Sequence, residues 1–257
     1  MGIMLRVRVV KLGGNELDRP EWLAACADAL KPLEPLVVVH GGGQAVSALS
    51  RRLGLPVEKR DGLRVTPPGV AEVVEMVLAG PANRAVVAAL RAVGLDAIGL
   101  SGVDGGLLTA EPSPAGLGHV GEITAVRASL LESLLLAGLT PVVAPVAPAA
   151  GVNGVPLNVN ADHAAAAIAA ALRAKELLYV SDVPGVVIDG VAQDSVAASD
   201  IPALIELGVA TDGMAAKLRA GAAALQTGAQ AVRIGDLHLL GHPTAGTRVL
   251  AATPQPA

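Results

Sequence analysis

Short apolar runs alternate with amphipathic segments along the chain, and glycine-rich turns separate them. Residues 5–12 form an apolar run that predicts a strand and ends at Gly13-Gly14. Residues 20–30 place their apolar positions at helical spacing, and residues 36–39 predict a second strand before three glycines. Residues 44–53 then predict another helix. The succession of strand, glycine turn and helix occurs twice, which is typical of a parallel sheet with helices on both faces.

The rest of the chain continues this alternation. Thr66 is the predicted N-cap of a helix that has Pro67 at its first position. The Gly- and Pro-rich residues 102–124 predict edge hairpins. Further helices are predicted over 67–78, 81–93, 128–137 and 162–174. A short helix is predicted to begin at a cap, Ser199 or Asp200, and to end at 207. A longer helix, 213–227, is predicted to be capped by Asp212. The remaining predictions are strands 97–100, 141–145, 176–181, 232–234 and 247–250, a hairpin over 57–65 and a loose tail over 251–257.

Composition limits the class of protein. The chain has 257 residues, enough for one large α/β domain or two closely packed lobes. Apolar residues make up 52% and charged residues 16%, the opposite of the balance that favours disorder. Phe is absent, and Trp22 and Tyr179 are the only aromatic side chains, which argues against stacking on single-stranded nucleic acid. A net charge of −4 without a basic run argues against phosphate-backbone binding.

The compartment follows from two further features. Cys26 is the single cysteine, so an intrachain disulfide is impossible, and we interpret it as a small buried apolar side chain in a reducing cytoplasm. The first residues lack the pattern of a signal peptide. The uncharged stretch 133–161 contains four prolines and predicts helix end, strand, loop and strand rather than a membrane span.

Two glycine turns are candidates for an anion site. Lys11 lies near the end of the first strand, directly before Leu12-Gly13-Gly14, and parallel sheets place ligand sites at the carboxyl ends of their strands. Glycines present free N–H groups to an anion, and a lysine adds a compact positive charge. Residues 40–43, His-Gly-Gly-Gly, repeat the arrangement before a helix. The alternatives are a solvated lysine and a tight turn that binds nothing; His40 is interpreted as a packed or hydrogen-bonded residue rather than a base.

Other polar residues stand out less clearly. Arg64 precedes the helix at Thr66 and could grip a carboxylate through two parallel hydrogen bonds, although a surface arginine is the common alternative. Asn158 and Asn160 alternate before Asp162, whose position suits a helix cap or a dipole partner. That structural role does not explain the two asparagines, so a functional role is favoured.

Lys217 completes the set of candidate charges. It lies one turn into the helix that starts near Asp212, where a cation opposes the helix dipole unless an anion lies nearby; an exposed lysine is the alternative. A P-loop, a Gly-x-Gly-x-x-Gly turn after either early strand and a His/Cys cluster for zinc are all missing from the sequence.

Taken together, these residues resemble the amino acid kinase family. The shared segments are 10–14, 40–43, 61–66, 158–162 and 213–217, and the resemblance covers essentially the whole chain. Each segment alone is weak, whereas five in order are specific. The resemblance implies a three-layer αβα sandwich with a mostly parallel central sheet. It also implies that residues 1–174 bind the acyl substrate and dimerise, while residues 175–257 bind ATP.

The family's site residues carry over by position. The resemblance implies that Lys11 and Lys217 neutralise the moving phosphoryl group from opposite sides and that Asp162 holds both lysines. Backbone N–H groups of Gly13, Gly14 and Gly42 would contact phosphoryl oxygens. The implied substrate residues are Gly42, Gly43, Arg64, on the α-carboxylate, and Asn158. The implied nucleotide residues are Gly13, Gly14, Ser181, Asp182, Val183, Pro184, Gly185, Val186, Val209, Ala210 and Thr211. ATP and Mg²⁺ are implied, and no protein ligand for the metal is named.

Within the family, the chain is similar to the branch that phosphorylates the side-chain carboxylate of N-acetyl-L-glutamate, the second step of arginine biosynthesis. Such a nucleophile is already ionised, so no general base is needed. One alternative is a kinase for carrier-bound or acetylated α-aminoadipate in lysine biosynthesis. Another is a non-catalytic amino-acid or nucleotide sensor, but the presence of both lysines favours an enzyme. We also expect a cytoplasmic, arginine-insensitive homodimer that binds neither nucleic acid nor membrane.

Overall fold

The computed structural model describes residues 6–14, 16–60, 62–149 and 156–251. Leu5 of the predicted first strand, Asp61 of the predicted hairpin and most of the predicted tail, 252–257, lie outside the described residues. The helices are α1 Pro20–Leu30, α2 Gly43–Arg52, α3 Pro68–Val77, α4 Asn83–Ala92, α5 Ala128–Leu136, α6 Ala161–Ala171, α7 Ile201–Glu206, α8 Asp212–Thr227 and α9 His238–Gly241. The strands are β1 Arg8–Leu12, β2 Leu36–His40, β3 Lys59–Arg60, β4 Leu63–Arg64, β5 Ala97–Ser101, β6 Leu108–Pro112, β7 Val120–Val126, β8 Thr140–Ala144, β9 Val146–Ala147, β10 Leu157–Val159, β11 Glu176–Val180, β12 Val187–Ile188, β13 Val191–Ala192, β14 Ser195–Ala197, β15 Val232–Gly235 and β16 Thr247–Leu250.

The central sheet has eight strands in the order β14-β16-β15-β11-β1-β2-β8-β5. All neighbours are parallel except β15 and β16. Strands from β11 onward form one half of the sheet and the earlier strands form the other, so β11 and β1 meet in the middle. The predicted fold class, helices around a mostly parallel sheet, is confirmed.

Both faces of this sheet are covered, and side chains alternate between them. Val9, Val37 and Leu177 belong to the core beneath α5, α6 and α8. Val10, Val38 and Leu178 belong to the core beneath α1, α4 and α9. Strands that are buried on both faces are continuous apolar runs, which is why these segments lack the alternation of a half-exposed strand. Cys26 is buried in the second core, as predicted, and burial raises the pKa of its thiol to about 12.

A second, four-stranded sheet lies beside the first, in the order β6-β7-β10-β9. The predicted edge hairpin is the antiparallel pair β6 and β7, and β10 adds to β7 in parallel. The short hairpin β3-β4 carries Arg64, which pairs with Lys59 across the two strands. These smaller elements matter because they deliver Arg64 and Asn158 to one side of the central sheet.

Several helix starts differ from the predictions. Helix α3 begins at Pro68 with Pro67 at the N-cap, and the Thr66 hydroxyl instead donates to the Arg64 carbonyl at 2.8 Å. Asp200 occupies the N-cap of α7 without a side-chain cap bond. Helix α8 begins at Asp212, so Thr211 takes the N-cap position that was predicted for Asp212. A helix start that a neighbouring strand or loop also constrains does not need its own side-chain cap.

One apolar helical segment has the dimensions of a membrane span. Among the described residues, Pro68–Ala92 is long and apolar enough by length and composition, with a mean hydropathy of 1.4. It is not one regular helix, because Gly80 has φ −102° and ψ −113° and Pro81 follows it. Val70 and Val74 are buried in a core cluster that also contains Val46 of α2 and Ala144 of β8.

Candidate active site

Three loops meet at the carboxyl ends of the neighbouring strands β11, β1 and β2. The Gly13 N–H donates to the Val180 carbonyl at 2.9 Å, and the Gly41 N–H donates to the Leu12 carbonyl at 3.2 Å. A methyl group on Gly14 would lie 2.6 Å from the Gly42 nitrogen, so only glycine allows the two turns to approach this closely. The two glycine turns, which were predicted to open onto one crevice, are therefore in direct contact.

Lys11 points toward the helices that carry the other charged residues. It lies two residues after Val9 on β1, so its side chain is on the face covered by α6 and α8. Helix α6 brings Asp162 to this face from its first turn, and α8 brings Lys217 from its second turn. Lys11, Asp162 and Lys217 therefore meet on one face of the sheet because side chains alternate between the two faces along β1.

The three charged side chains form one buried cluster. Lys11 Nζ lies 2.8 Å from Asp162 Oδ1, and Lys217 Nζ lies 3.8 Å from Asp162 Oδ2. The exposed fractions of the Lys11, Asp162 and Lys217 side chains are 7%, 7% and 11%. Lys217 Nζ also donates to the Gly213 carbonyl at 3.2 Å. Two cations share one anion, so the cluster carries an excess positive charge.

The pKa shifts reflect this imbalance. Burial opposes ionisation of Asp162, but the charges of Lys11 and Lys217 outweigh it and lower the Asp162 pKa. Burial and repulsion by Lys11 lower the Lys217 pKa, while Asp162, Asp182 and Glu16 oppose that change. An added anion at this position would favour the charged lysines, so the electrostatics suit a negatively charged ligand.

A cavity of about 150 Å³ opens beside the cluster. All four predicted substrate residues line it, namely Gly42, Gly43, Arg64 and Asn158. Asn160 lines it as well, and Val46 and Leu78 supply apolar wall. Convergent polar groups in a partly apolar cavity are typical of a small-molecule site.

Hydrogen bonds from one guanidinium nitrogen, Nη2, hold the Arg64 side chain in this cavity. Its Nη2 donates to the Gly43 carbonyl and to Ser47 Oγ, both at 2.7 Å. Its buried Nη1 has no hydrogen-bond partner among the described residues. Burial, followed by the charge of Arg51, lowers the Arg64 pKa. A buried unpaired N–H is costly, and a carboxylate would satisfy it.

The two asparagines have separate roles. Asn160, not Asp162, caps α6: its Oδ1 accepts from the N–H groups of Asp162 at 2.8 Å and His163 at 3.2 Å. This leaves the Asp162 carboxylate free to face the lysines. Asn158 Nδ2 donates to Thr66 Oγ1 at 3.1 Å, which joins β10 to the segment that carries Arg64.

The predicted nucleotide residues follow β11 and precede α8. Ser181 N–H donates to the Gly235 carbonyl at 2.8 Å, and Val186 N–H donates to Thr247 Oγ1 at 2.8 Å. Val186 and Ala210 have side chains in the core, so only their backbone could contact a ligand. Asp182, Pro184 and Thr211 are exposed, while Val183 and Val209 are half-buried. These residues lie outside the lining of the 150 Å³ cavity.

Some functional candidates could not be read from the sequence. The Gly13 N–H, predicted to contact a phosphoryl oxygen, is occupied by Val180; the Gly14 and Gly42 N–H groups make no hydrogen bond to any described residue. Ser47 and Asn160 hold site residues in place. Only Asn160 was indicated by the sequence, through its alternation with Asn158.

Glu16 is buried beside Gly13. Burial and the charge of Asp182 raise the pKa of Glu16.

Comparison with known proteins identifies the family. The sequence pattern of the amino acid kinase family matches residues 6–236, so the chain belongs to the amino acid kinase family. Acetylglutamate kinase from Chloroflexus aurantiacus (strain ATCC 29366 / DSM 635 / J-10-fl) is 48% identical over 249 residues, which cover 95% of this chain and 97% of the relative.

Solved structures share the fold. The crystal structure of smu.665 from Streptococcus mutans UA159 has a TM-score of 0.85 at 27% identity and covers 96% of this chain and 99% of its own. N-acetylglutamate synthase from Neisseria gonorrhoeae, complexed with coenzyme A and N-acetyl-glutamate, has a TM-score of 0.83 at 23% identity, over 97% of this chain and 61% of that one. This second likeness shows the fold alone.

The charged cluster makes stability depend on pH. Asp162 has a pKa below its ordinary 3.8, so its stabilising contribution is complete above that pH and is lost as the pH falls through the lowered value. We expect Asp162→Asn to reduce the free energy of unfolding by about 3 kcal/mol at pH 7, because two buried lysines lose their partner. The difference from the wild type should shrink as the pH falls from 4 to 2. Urea unfolding across this range measures it.

Asp96→Asn is the matched control for this measurement. Asp96 is 62% exposed and pairs with Arg91 at 2.6 Å, and an exposed pair contributes at most about 1 kcal/mol. Equal losses for the two variants, or a loss for Asp162→Asn that does not change with pH, would contradict the assignment.

Proposed function

We propose that the chain transfers the γ-phosphoryl group of ATP to the side-chain carboxylate of N-acetyl-L-glutamate, which yields N-acetylglutamyl 5-phosphate and ADP. One observation carries the proposal: Lys11 and Lys217 share Asp162 beside a cavity in which a buried nitrogen of Arg64 has no hydrogen-bond partner in the described part of the chain. The family and the acetylglutamate kinase relatives support the same reaction.

The chemistry needs charge neutralisation more than proton transfer. The acceptor carboxylate is ionised at neutral pH, and one of its oxygens forms a bond to the γ-phosphorus while the bond to the ADP oxygen breaks. Negative charge on the transferring oxygens would be stabilised by Lys11 from β1 and Lys217 from α8. Because Asp162 holds both ammonium groups before substrate arrives, little reorganisation is required during the reaction.

The cavity accounts for the acyl substrate. Arg64 Nη1 would donate to the α-carboxylate, and Asn158 on β10 would also hold the substrate. Gly42 and Gly43 line the same cavity. This arrangement orients the side-chain carboxylate toward the lysines, and such positioning is a large part of catalysis between two bound reactants.

ATP would be bound by the residues that follow β11 and precede α8. The loop at 181–186 follows β11, and residues 209–211 precede the helix that carries Lys217. The base would lie between aliphatic side chains because this chain has no Phe. Mg²⁺ accompanies ATP in this chemistry and favours phosphate oxygens, water and one or two carboxylates. Asp182, exposed at the end of β11 and close enough to influence the Lys217 pKa, is a carboxylate that fits this description. The ion would supply further charge neutralisation.

The proposal divides the chain by role. Residues 1–174 would bind the acyl substrate and dimerise, and residues 175–257 would bind ATP. The strand order supports this division, because the later strands form one half of the sheet and the clamp lies where the halves meet. The homodimer and the cytoplasmic location stay predictions.

A substrate comparison tests the reaction. Purified protein with ATP and Mg²⁺ is assayed for ADP release with N-acetylglutamate, acetylaminoadipate, glutamate and aspartate, and kcat/KM is compared. We expect the highest value for N-acetylglutamate, because Arg64 lines the cavity and can bind one α-carboxylate, while none of the described residues that line it has a carboxylate for a free α-amino group. An absence of ADP release with N-acetylglutamate refutes the proposal. A higher kcat/KM with acetylaminoadipate would identify that acid as the substrate instead.

Lys217→Ala tests the two-lysine clamp. Loss of one preorganised charge should lower kcat on the order of 100-fold while KM for N-acetylglutamate changes little. Steady-state kinetics measures both constants. Lys31→Ala removes an exposed lysine and should match the wild type. A kcat within about threefold of wild type for Lys217→Ala would remove this residue from the clamp.

Arg64→Ala tests the substrate pocket. Loss of a charged hydrogen-bond donor should raise KM for the acid about 10- to 100-fold and leave kcat much less affected. Arg60→Ala is the matched control, since Arg60 lies on the same hairpin but is 57% exposed and pairs with Glu58. Unchanged KM in Arg64→Ala, or an equal rise in both variants, would exclude Arg64 from the pocket.

A further inference from the structure

His40 is a buried histidine that the proposed chemistry does not use. It is the last residue of β2, directly before the glycine turn, and it is fully buried. Its Nδ1 lies 2.7 Å from the Gly41 carbonyl oxygen, and its Nε2 lies 3.1 Å from Asn83 Nδ2. Each ring nitrogen therefore has one defined partner.

These two partners determine the tautomer. A carbonyl oxygen only accepts, so Nδ1 must carry the proton and donate to Gly41, which leaves Nε2 to accept from the Asn83 amide. Asn83 Nδ2 also donates to the Val142 carbonyl at 2.9 Å, and the Leu100 carbonyl is a more distant acceptor at 3.4 Å. Rotating the amide by half a turn would set Asn83 Oδ1 against the Val142 carbonyl, so β8 keeps Asn83 in the donating orientation.

The charge state of His40 follows from the same surroundings. Burial lowers its pKa to about 4; the Gly41 hydrogen bond opposes this and the charge of Lys11 adds to it. The ring is therefore neutral in the pH range in which ATP-dependent enzymes are assayed. Neutrality excludes a role as a cationic phosphate ligand.

The hydrogen bond to Gly41 has a consequence for the next residue. Gly41 is held at both ends, because its N–H donates to the Leu12 carbonyl and its carbonyl accepts from His40. In a planar trans peptide the N–H of the following residue points opposite to the carbonyl. The Gly42 N–H thus points away from the His40 ring, and the Gly42 nitrogen faces Gly14 across the crevice.

We propose that His40 is a positioning residue which, oriented by Asn83, aims the Gly42 N–H at the phosphoryl group in transit. This inference rests on the proposed function, since it takes Gly42 as a donor to the phosphoryl oxygens. Strands β8 and β2 and helix α4 act together here: Val142 orients Asn83, Asn83 orients His40, and His40 orients the Gly41–Gly42 peptide.

The tautomer is tested first, without substrate. The 257-residue chain, with its five histidines labelled with ¹⁵N, is studied by long-range ¹⁵N–¹H correlation NMR, and the His40 signals are those lost in His40→Asn. We expect the Nδ1–H tautomer, unchanged from pH 6 to pH 9. An Nε2–H tautomer, or protonation of His40 within this range, overturns the inference whether or not the protein turns over N-acetylglutamate.

Two variants separate positioning from simple packing. The Asn amide in His40→Asn can donate from near the position of Nδ1, whereas the Gln amide in His40→Gln reaches only the position of Nε2. Both lose ring volume and should melt at similar temperatures. We expect kcat to be about 10-fold or more higher in His40→Asn than in His40→Gln, with similar KM for the acid, because only the former holds the Gly41 carbonyl.

Equal kcat in the two variants, or kcat that follows melting temperature, would show that His40 only packs. Absence of turnover in the wild type is a different result, since it refutes the proposed reaction. In that case the wild-type tautomer alone decides whether His40 orients the glycine turn.

Discussion

The attraction of two buried lysines to one buried aspartate is the interaction on which the site depends. Lys11, Asp162 and Lys217 come from β1, α6 and α8. The Nζ atoms of both lysines lie within 3.8 Å of an oxygen of the Asp162 carboxylate. Removing charges from water is costly, and one carboxylate cannot balance two ammonium groups. The three side chains by themselves carry one excess positive charge, and the nearby carboxylates of Asp182 and Glu16 reduce its effect on Lys217. In the proposed reaction, the transferring phosphoryl group would interact with both lysines at this position.

Neighbouring groups leave Asp162 free for this task. Because Asn160 caps α6, the Asp162 side chain does not have to satisfy the N–H groups of its own helix. The hydroxyl of Tyr179 donates to the Asp162 main-chain carbonyl at 3.0 Å and anchors the first turn of the helix to β11. Tyr179 also pairs in register with Lys11 on β1. The chain's single tyrosine thus connects both partners of the shorter ion pair.

The fold was predictable where local pattern and tertiary structure agree. The apolar runs of β1, β2 and β11 and their glycine turns specify a parallel sheet. Strand alternation then determines the face of the sheet on which the Lys11 side chain lies. Prediction failed where two signals compete for one residue. Thr66 has the chemistry of a helix cap, yet its hydroxyl binds Arg64 and Asn158. Gly13 resembles Gly14 in sequence, but strand pairing with β11 consumes its N–H. Contacts between distant segments decide such cases.

The two sides of the cluster differ in how far they are built. On the side proposed for the acyl substrate, Ser47 and Gly43 already orient Arg64 in the cavity, and Asn83 contacts His40 behind the glycine turn. The residues proposed for the nucleotide include the exposed Asp182 and Pro184. Under the proposed function, a small acid with few contacts needs a preorganised pocket, since it cannot offset much ordering, whereas ATP would bring many contacts of its own. The donors that are already held in place would then lie where the smaller of the two proposed substrates binds.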